Sequence, residues 1–173
     1  MSNLATALVL VLQQVVPTVP QERIKAVTED MVTVVEQDHT NHVLKSDMSS
    51  KDSLALLTGV IVVESGLRVD VENCKASGDG GRSIGLGQVM SGPNWEGHSR
   101  KEICSDRKLQ LRLALHVLDT CWAKTPQPDA ALRCYVAGDA SRYSWTARRE
   151  LEVYKKARAA LDAAGIPVSQ PKT

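Results

Sequence analysis

Leu54-Ala55-Leu56-Leu57-Thr58-Gly59-Val60-Ile61-Val62-Val63-Glu64-Ser65-Gly66 is an almost wholly apolar run that stops abruptly at a carboxylate. Ser49 stands three residues before Asp52, a capping-box pattern, and Gly66 is the residue type best suited to a left-handed helix end. The pattern predicts a buried helix over Ser50 to Ser65. Glu64 then falls in its last turn, where the negative end of the helix dipole and the apolar neighbours both disfavour the ionised carboxylate. A carboxyl kept protonated near neutrality is what general-acid chemistry requires. The alternative is an ion-paired helix-end residue, with Arg68 one turn on as its partner.

Downstream come Cys74 and a glycine-dense loop, Ser77 to Gln88, whose five glycines permit backbone shapes and close ligand approach that other residues forbid. Such a loop can line a cleft. It is neither a dinucleotide fingerprint nor a P-loop: no strand precedes it, no Gly-Lys-Ser/Thr closes it, and Gly85-Leu86-Gly87 lacks the third glycine.

Three pieces in order, Glu64-Ser65-Gly66, Gly85-Leu86-Gly87-Gln88 and Tyr135-Val136-Ala137-Gly138, resemble the three-part signature of soluble lytic transglycosylases and goose-type lysozymes. Those signatures read Glu-Ser, Gly-Leu-Met-Gln and Tyr-Asn-Ala-Gly. The resemblance runs from Leu54 to Gly138, about half the chain, and its specificity lies in order and spacing. Gly87 stands where Met is usual, a departure expected to be tolerated, and Val136 replaces Asn, which removes one polar group near the substrate. The resemblance implies a mainly α, lysozyme-like helical domain with at most a short β-hairpin, between Val69 and Val89, beside the active-site cleft. It implies cleavage of the bond between N-acetylmuramic acid and N-acetylglucosamine in peptidoglycan.

Two chemical routes follow. In the transglycosylase route Glu64 first protonates the bridging oxygen and then removes a proton from the muramyl C6 hydroxyl, giving a 1,6-anhydro sugar. In the hydrolytic route an inverting enzyme needs a second carboxylate about 6.5–9.5 Å away to activate water. Asp79 is the candidate, since it matches a loop Asp of goose-type lysozymes; its bland reading is a turn-stabilising Asx residue. The resemblance has the Tyr135 hydroxyl bonded to the catalytic Glu, while core packing is its alternative. Gln88 would hydrogen-bond an N-acetyl or hydroxyl group of the sugar, or else cap a buried backbone group. Ser65 and Ser83 are candidates of the same kind. Trp95, a lone tryptophan amid the turn formers Ser91 to Gly97, reads equally as a sugar-stacking platform or a lid over the core. From a different class, the chain reads as a non-catalytic module binding glycan or a partner. Acid catalysis on a glycoside needs no cofactor, and none is expected.

Composition sets the bounds. The 173 residues read as one domain: N-terminal helices over 1–48, the motif-bearing core over 49–138, a C-terminal helix over 139–166 and a loose tail over 167–173. Phenylalanine is absent and aromatics make up 3%, so the core must be aliphatic, which suits helix packed on helix. A net charge of +1 argues against a nucleic-acid binder. Residues 1–72 hold five Lys/Arg against ten Asp/Glu, whereas 73–138 hold nine against six and 139–173 seven against four. The basic two-thirds suits an anionic polymer such as cell-wall glycan, or is an ordinary solvated surface. The chain is expected to be a monomer.

Four cysteines with no Cys-x-x-Cys spacing argue against a zinc cluster and leave two disulfides or four buried thiols. Cys121 and Cys134 sit almost equally far from the centre of the Lys124 to Pro128 turn, so antiparallel helices would bring them together; Cys74 with Cys104 follows by elimination.

In the remaining chain, Leu4 to Val16 is apolar but too short to span a bilayer, and lacks the basic start and cleavage site of a secretory signal. It predicts a helix ended by Pro17. The expected place of action is the bacterial cell wall, reached by a phage particle or another export route. Thr18 with Gln21 suggests a capping box for a second helix reaching at least Glu36; His39 and His42 beyond it read as solvent-facing rather than as a metal pair. Ser105 is expected to open the longest helix, apolar on two faces, which Pro126 and Pro128 break. Pro128 starts the next, ended by Gly138. Ser144 caps a last helix through Leu151, Tyr154, Ala157 and Leu161, stopped by Gly165 and Pro167.

Overall fold

Eight α-helices, two short 3₁₀ helices (Asp79–Gly81 and Pro93–Trp95) and one two-stranded hairpin occur in the described residues, 2–164, of the computed structural model. The predicted stops at Gly165 and Pro167, and the tail, lie outside them. The helices are α1 Asn3–Val15, α2 Gln21–Thr40, α3 Ser50–Ser65, α4 Val69–Glu72, α5 Arg100–Ser105, α6 Arg107–Lys124, α7 Pro128–Ala137 and α8 Trp145–Ala163. Strands β1 Ser83–Ile84 and β2 Val89–Met90 pair antiparallel, Ser83 opposite Met90 and Ile84 opposite Val89, so the hairpin reaches one residue past its expected limit. No helix among the described residues is long and apolar enough to cross a membrane.

Helix α3 is the axis of the core. Every residue from Ser53 to Ile61 is buried, as a helix apolar on all sides requires. Ser49 caps it by accepting from the Asp52 amide at 3.1 Å, and Gly66 ends it in the left-handed region at φ 57°. Its most extensive packing is against α8, with α2, α6 and α7 closing the other sides. At one end of this antiparallel pair the Tyr154 hydroxyl and the Arg158 guanidinium both meet the Asp52 carboxylate. Midway, a Cβ on Gly59 would lie 2.7 Å from the Glu150 carbonyl oxygen, so glycine is what lets the two backbones touch. Glycine inside a helix costs about 1 kcal/mol relative to alanine, and that contact offsets it.

Several boundaries differ from expectation for local reasons. Helix α2 starts at Gln21 after Pro20, with no side-chain cap, so Thr18 does not form the box. Proline's fixed φ and missing donor let it open the helix unaided. His39 lies within α2 rather than in solvent: it is half-buried, its Nε2 sits 3.0 Å from Ser53 Oγ, and burial pulls its pKa down against the charges of Asp119 and Asp38. His42 is exposed. Ser105 closes the short α5; Asp106 caps α6 by accepting from the Leu109 amide at 3.1 Å, and α2, not α6, is the longest helix described.

Both disulfides are present, Cys74–Cys104 with Cα atoms 5.5 Å apart and Cys121–Cys134 with Cα atoms 5.7 Å apart. The second ties α6 to α7. Non-reducing peptide mapping should therefore link the fragments bearing Cys121 and Cys134. Reduction should lower the unfolding temperature, because closing so short a loop contributes about 3 kcal/mol in the chain-entropy treatment. Four thiols titrating in the unfolded, unreduced protein would refute the pairing.

Candidate active site

A cleft of about 730 Å³ opens where the end of α3, the hairpin loop, α6, α7 and the start of α8 meet. Glu64, Asp79, Ser83, Gln88 and Tyr135 all line it. The elements that carry them are far apart in sequence, and the core helix and its glycine cap bring Glu64 to the cleft floor. Its carboxyl is raised to about 6, first by burial; a hydrogen bond with Glu150 works the other way, and the Asp79 charge adds to the rise. Arg68, the alternative partner, instead pairs with Asp70 at the surface, its Nε donating to Oδ1 at 3.0 Å.

Glu150, on α8, is the residue that sequence reading passed over. Its side chain is fully buried, and no protein N–H or O–H donates to either of its oxygens. It faces the Glu64 carboxyl, and two carboxyl groups form a hydrogen bond only when one of them keeps a proton. Burial above all, then the Glu64 charge, pushes Glu150 up to about 9. Burial raises both carboxyls, Glu150 the further, so a proton retained near neutrality is shared between them, and the two steps of titration belong to the pair. A signal existed in the sequence. Ala147, Glu150, Tyr154, Ala157 and Leu161 fall on one stripe of α8, all buried, and a carboxylate on such a stripe requires an explanation.

The remaining candidates divide between the cleft and its frame. Asp79 is exposed, at φ 49°, and accepts from Ser83 Oγ at 2.7 Å, so its turn-forming role is real even though it lines the cleft. Gln88 lines the cleft but its amide serves the loop: Oε1 accepts from the Gly78 amide at 2.7 Å and Nε2 donates to the Gly85 carbonyl at 2.9 Å. That is the backbone-capping alternative rather than a free sugar contact. The Tyr135 hydroxyl donates to the Gly87 carbonyl at 2.7 Å, not to Glu64, and its pKa is raised by burial and then by the charges of Glu64 and Glu150. Ser65 is buried outside the cleft lining, donating to the Ile61 carbonyl at 2.7 Å and accepting from the Leu67 amide at 3.2 Å. Trp95 is also outside the lining. Its indole N–H donates to the Val89 carbonyl at 3.0 Å and its half-buried ring packs on the core, the placement the lid reading describes.

Glycine is not merely tolerated at position 87 but required there. A Cβ there would lie 2.7 Å from Ala114 Cβ and 2.9 Å from the Tyr135 hydroxyl oxygen, so a methionine has no room on this backbone. Behind the loop the buried Gln110 accepts from the Leu86 amide at 2.9 Å and donates to the Glu72 and Ile103 carbonyls at 2.9 and 2.8 Å, which fixes the loop against α4 and α5. Val136, Thr146 and two cations, Lys124 and Arg149, are also part of the wall. No cluster of three or more metal-ligating side chains occurs among the described residues. Compared with family models, curated protein sequences and solved structures, the chain matches none.

Proposed function

We propose that this protein is a lysozyme-like lytic transglycosylase that acts at the bacterial cell wall, cleaving the β-1,4 bond from N-acetylmuramic acid to N-acetylglucosamine and leaving a 1,6-anhydromuramyl end. The observation that carries the reading is a half-buried Glu64, raised to about 6, on the floor of a cleft and backed by a buried carboxyl partner. In its protonated form Glu64 gives its proton to the bridging oxygen as the muramyl C1–O bond breaks. The carboxylate so formed accepts a hydrogen bond from Glu150, which stabilises it through the oxocarbenium-like stage. It then takes the proton of the muramyl C6 hydroxyl while O6 closes on C1, and Glu64 ends protonated with no water consumed. One carboxylate at the sugar suffices, and the basic wall formed by Lys124 and Arg149 suits the carboxylates of a muramyl peptide.

Hydrolysis is the second reading, and the observation in its favour is Asp79 in the cleft lining, close enough for its charge to raise Glu64. Digestion of purified peptidoglycan followed by mass spectrometry with and without borohydride separates the two. Anhydro ends resist reduction and are the expected product, with Asp79→Asn keeping much of the activity because Asp79 is engaged by Ser83. Reducible ends together with loss of activity in Asp79→Asn would establish the hydrolytic route. Absence of any released muropeptide would leave a binding module.

A further inference from the structure

Trp145 and Tyr143 are the two aromatic side chains left exposed among the described residues, at 69% and 66%, and they touch each other. Their rings meet edge to face with centroids 5.5 Å apart, and the Arg148 guanidinium lies 5.6 Å from the indole centroid. So large an indole exposed to water would ordinarily be buried in a core this poor in aromatics; here it is braced in place instead. Its position continues the cleft. At about 100° per residue, Glu150, Thr146, Arg149 and Trp145 succeed one another round α8 in steps of about 40–60°, from the core to solvent. Thr146 and Arg149 already line the cleft, and Trp145 follows Arg149 on the solvent side of the same helix.

We propose that Trp145 and Tyr143 form an outer subsite of the cleft that takes the apolar face of one sugar ring of a muramyl glycan strand, beyond the rings that flank Glu64. The axial C–H groups of a pyranose carry slight positive charge and fit the negative face of an indole. Arg148 and Arg149 stand beside that ring to meet the carboxylates of the lactyl-peptide substituents, which a neutral amino-sugar polymer lacks. This subsite rests on the peptidoglycan reading above and concerns strand length, not bond cleavage.

The test uses the full chain carrying Glu64→Gln, so that binding is read without turnover, and co-sedimentation with insoluble peptidoglycan. Trp145→Ala in that background should weaken binding about three- to tenfold, and Trp145→Phe should restore most of it. In the otherwise unaltered enzyme, Trp145→Ala should raise KM on long glycan strands and leave turnover of a fragment that spans only the rings flanking Glu64 unchanged. Equal binding by Trp145→Ala and its parent, or a Phe variant as weak as Ala, overturns the subsite while leaving the cleavage reading intact. If the Glu64→Gln chain does not bind peptidoglycan and the unaltered enzyme releases no muropeptides, the underlying reading falls and the subsite with it. Thermal unfolding of each variant checks the fold, and Tyr143→Ala, weakening binding by removing the brace, provides a second variant.

Discussion

Glu64→Gln is expected to lower the rate of peptidoglycan cleavage by about 10²–10⁴ while the chain remains folded. The amide keeps the shape of the side chain and can still bond to Glu150, but it has no proton to give to the bridging oxygen and cannot receive one from the C6 hydroxyl. Unaltered protein should lose activity as pH rises through about 6, because the proposed reaction starts from protonated Glu64 and burial above all raises its pKa to about 6. That limb reports the carboxyl pair rather than one residue, so it should move when Glu150 is changed. A Gln variant that clears peptidoglycan at a comparable rate would show that Glu64 is not the acid, whatever the shape of the cleft.

Local chemistry explains which parts of the fold could be read from the chain. The caps Ser49 and Ser144 and the helix ends Gly66 and Gly138 each depend on a few neighbouring residues, and each sits where expected. The Cys121–Cys134 bridge needed only two helices and a short turn. Polar side chains were harder, because their partners are set by the path of distant backbone. Gln88 and Tyr135 lie in the cleft, yet their hydrogen bonds close on Gly78, Gly85 and Gly87, choices fixed by how the loop folds back on α6 and α7. The placement of Trp95 could not be read from its turn-rich neighbours, since it depends on the Val89 carbonyl that its indole N–H reaches. Glu150 is the instructive omission. Its own helix marks it as buried, but the reason a carboxyl is tolerated there, a second carboxyl at the end of α3, comes from a packing contact that Gly59 permits.

Glu150→Gln should change the pH dependence of stability. The folded protein holds the Glu150 proton up to about 9, whereas the unfolded chain releases it near the ordinary value of 4.5. Below 4.5 both states are protonated and the group contributes no difference. Above it the unfolded state is favoured increasingly, until the folded form also ionises near 9, so burial of this carboxyl costs on the order of 3 kcal/mol at neutral pH. Glutamine removes that slope. It also leaves amide groups without partners in a site that offers only the Glu64 carboxyl, at about 1–3 kcal/mol. The two stability curves should therefore cross: the variant less stable than the parent in mild acid, and as stable or more stable at pH 8. Denaturant unfolding across this range measures it. Parallel curves would mean that Glu150 does not retain its proton, and with it the hydrogen bond to Glu64 on which the proposed stabilisation of the intermediate carboxylate depends would be lost.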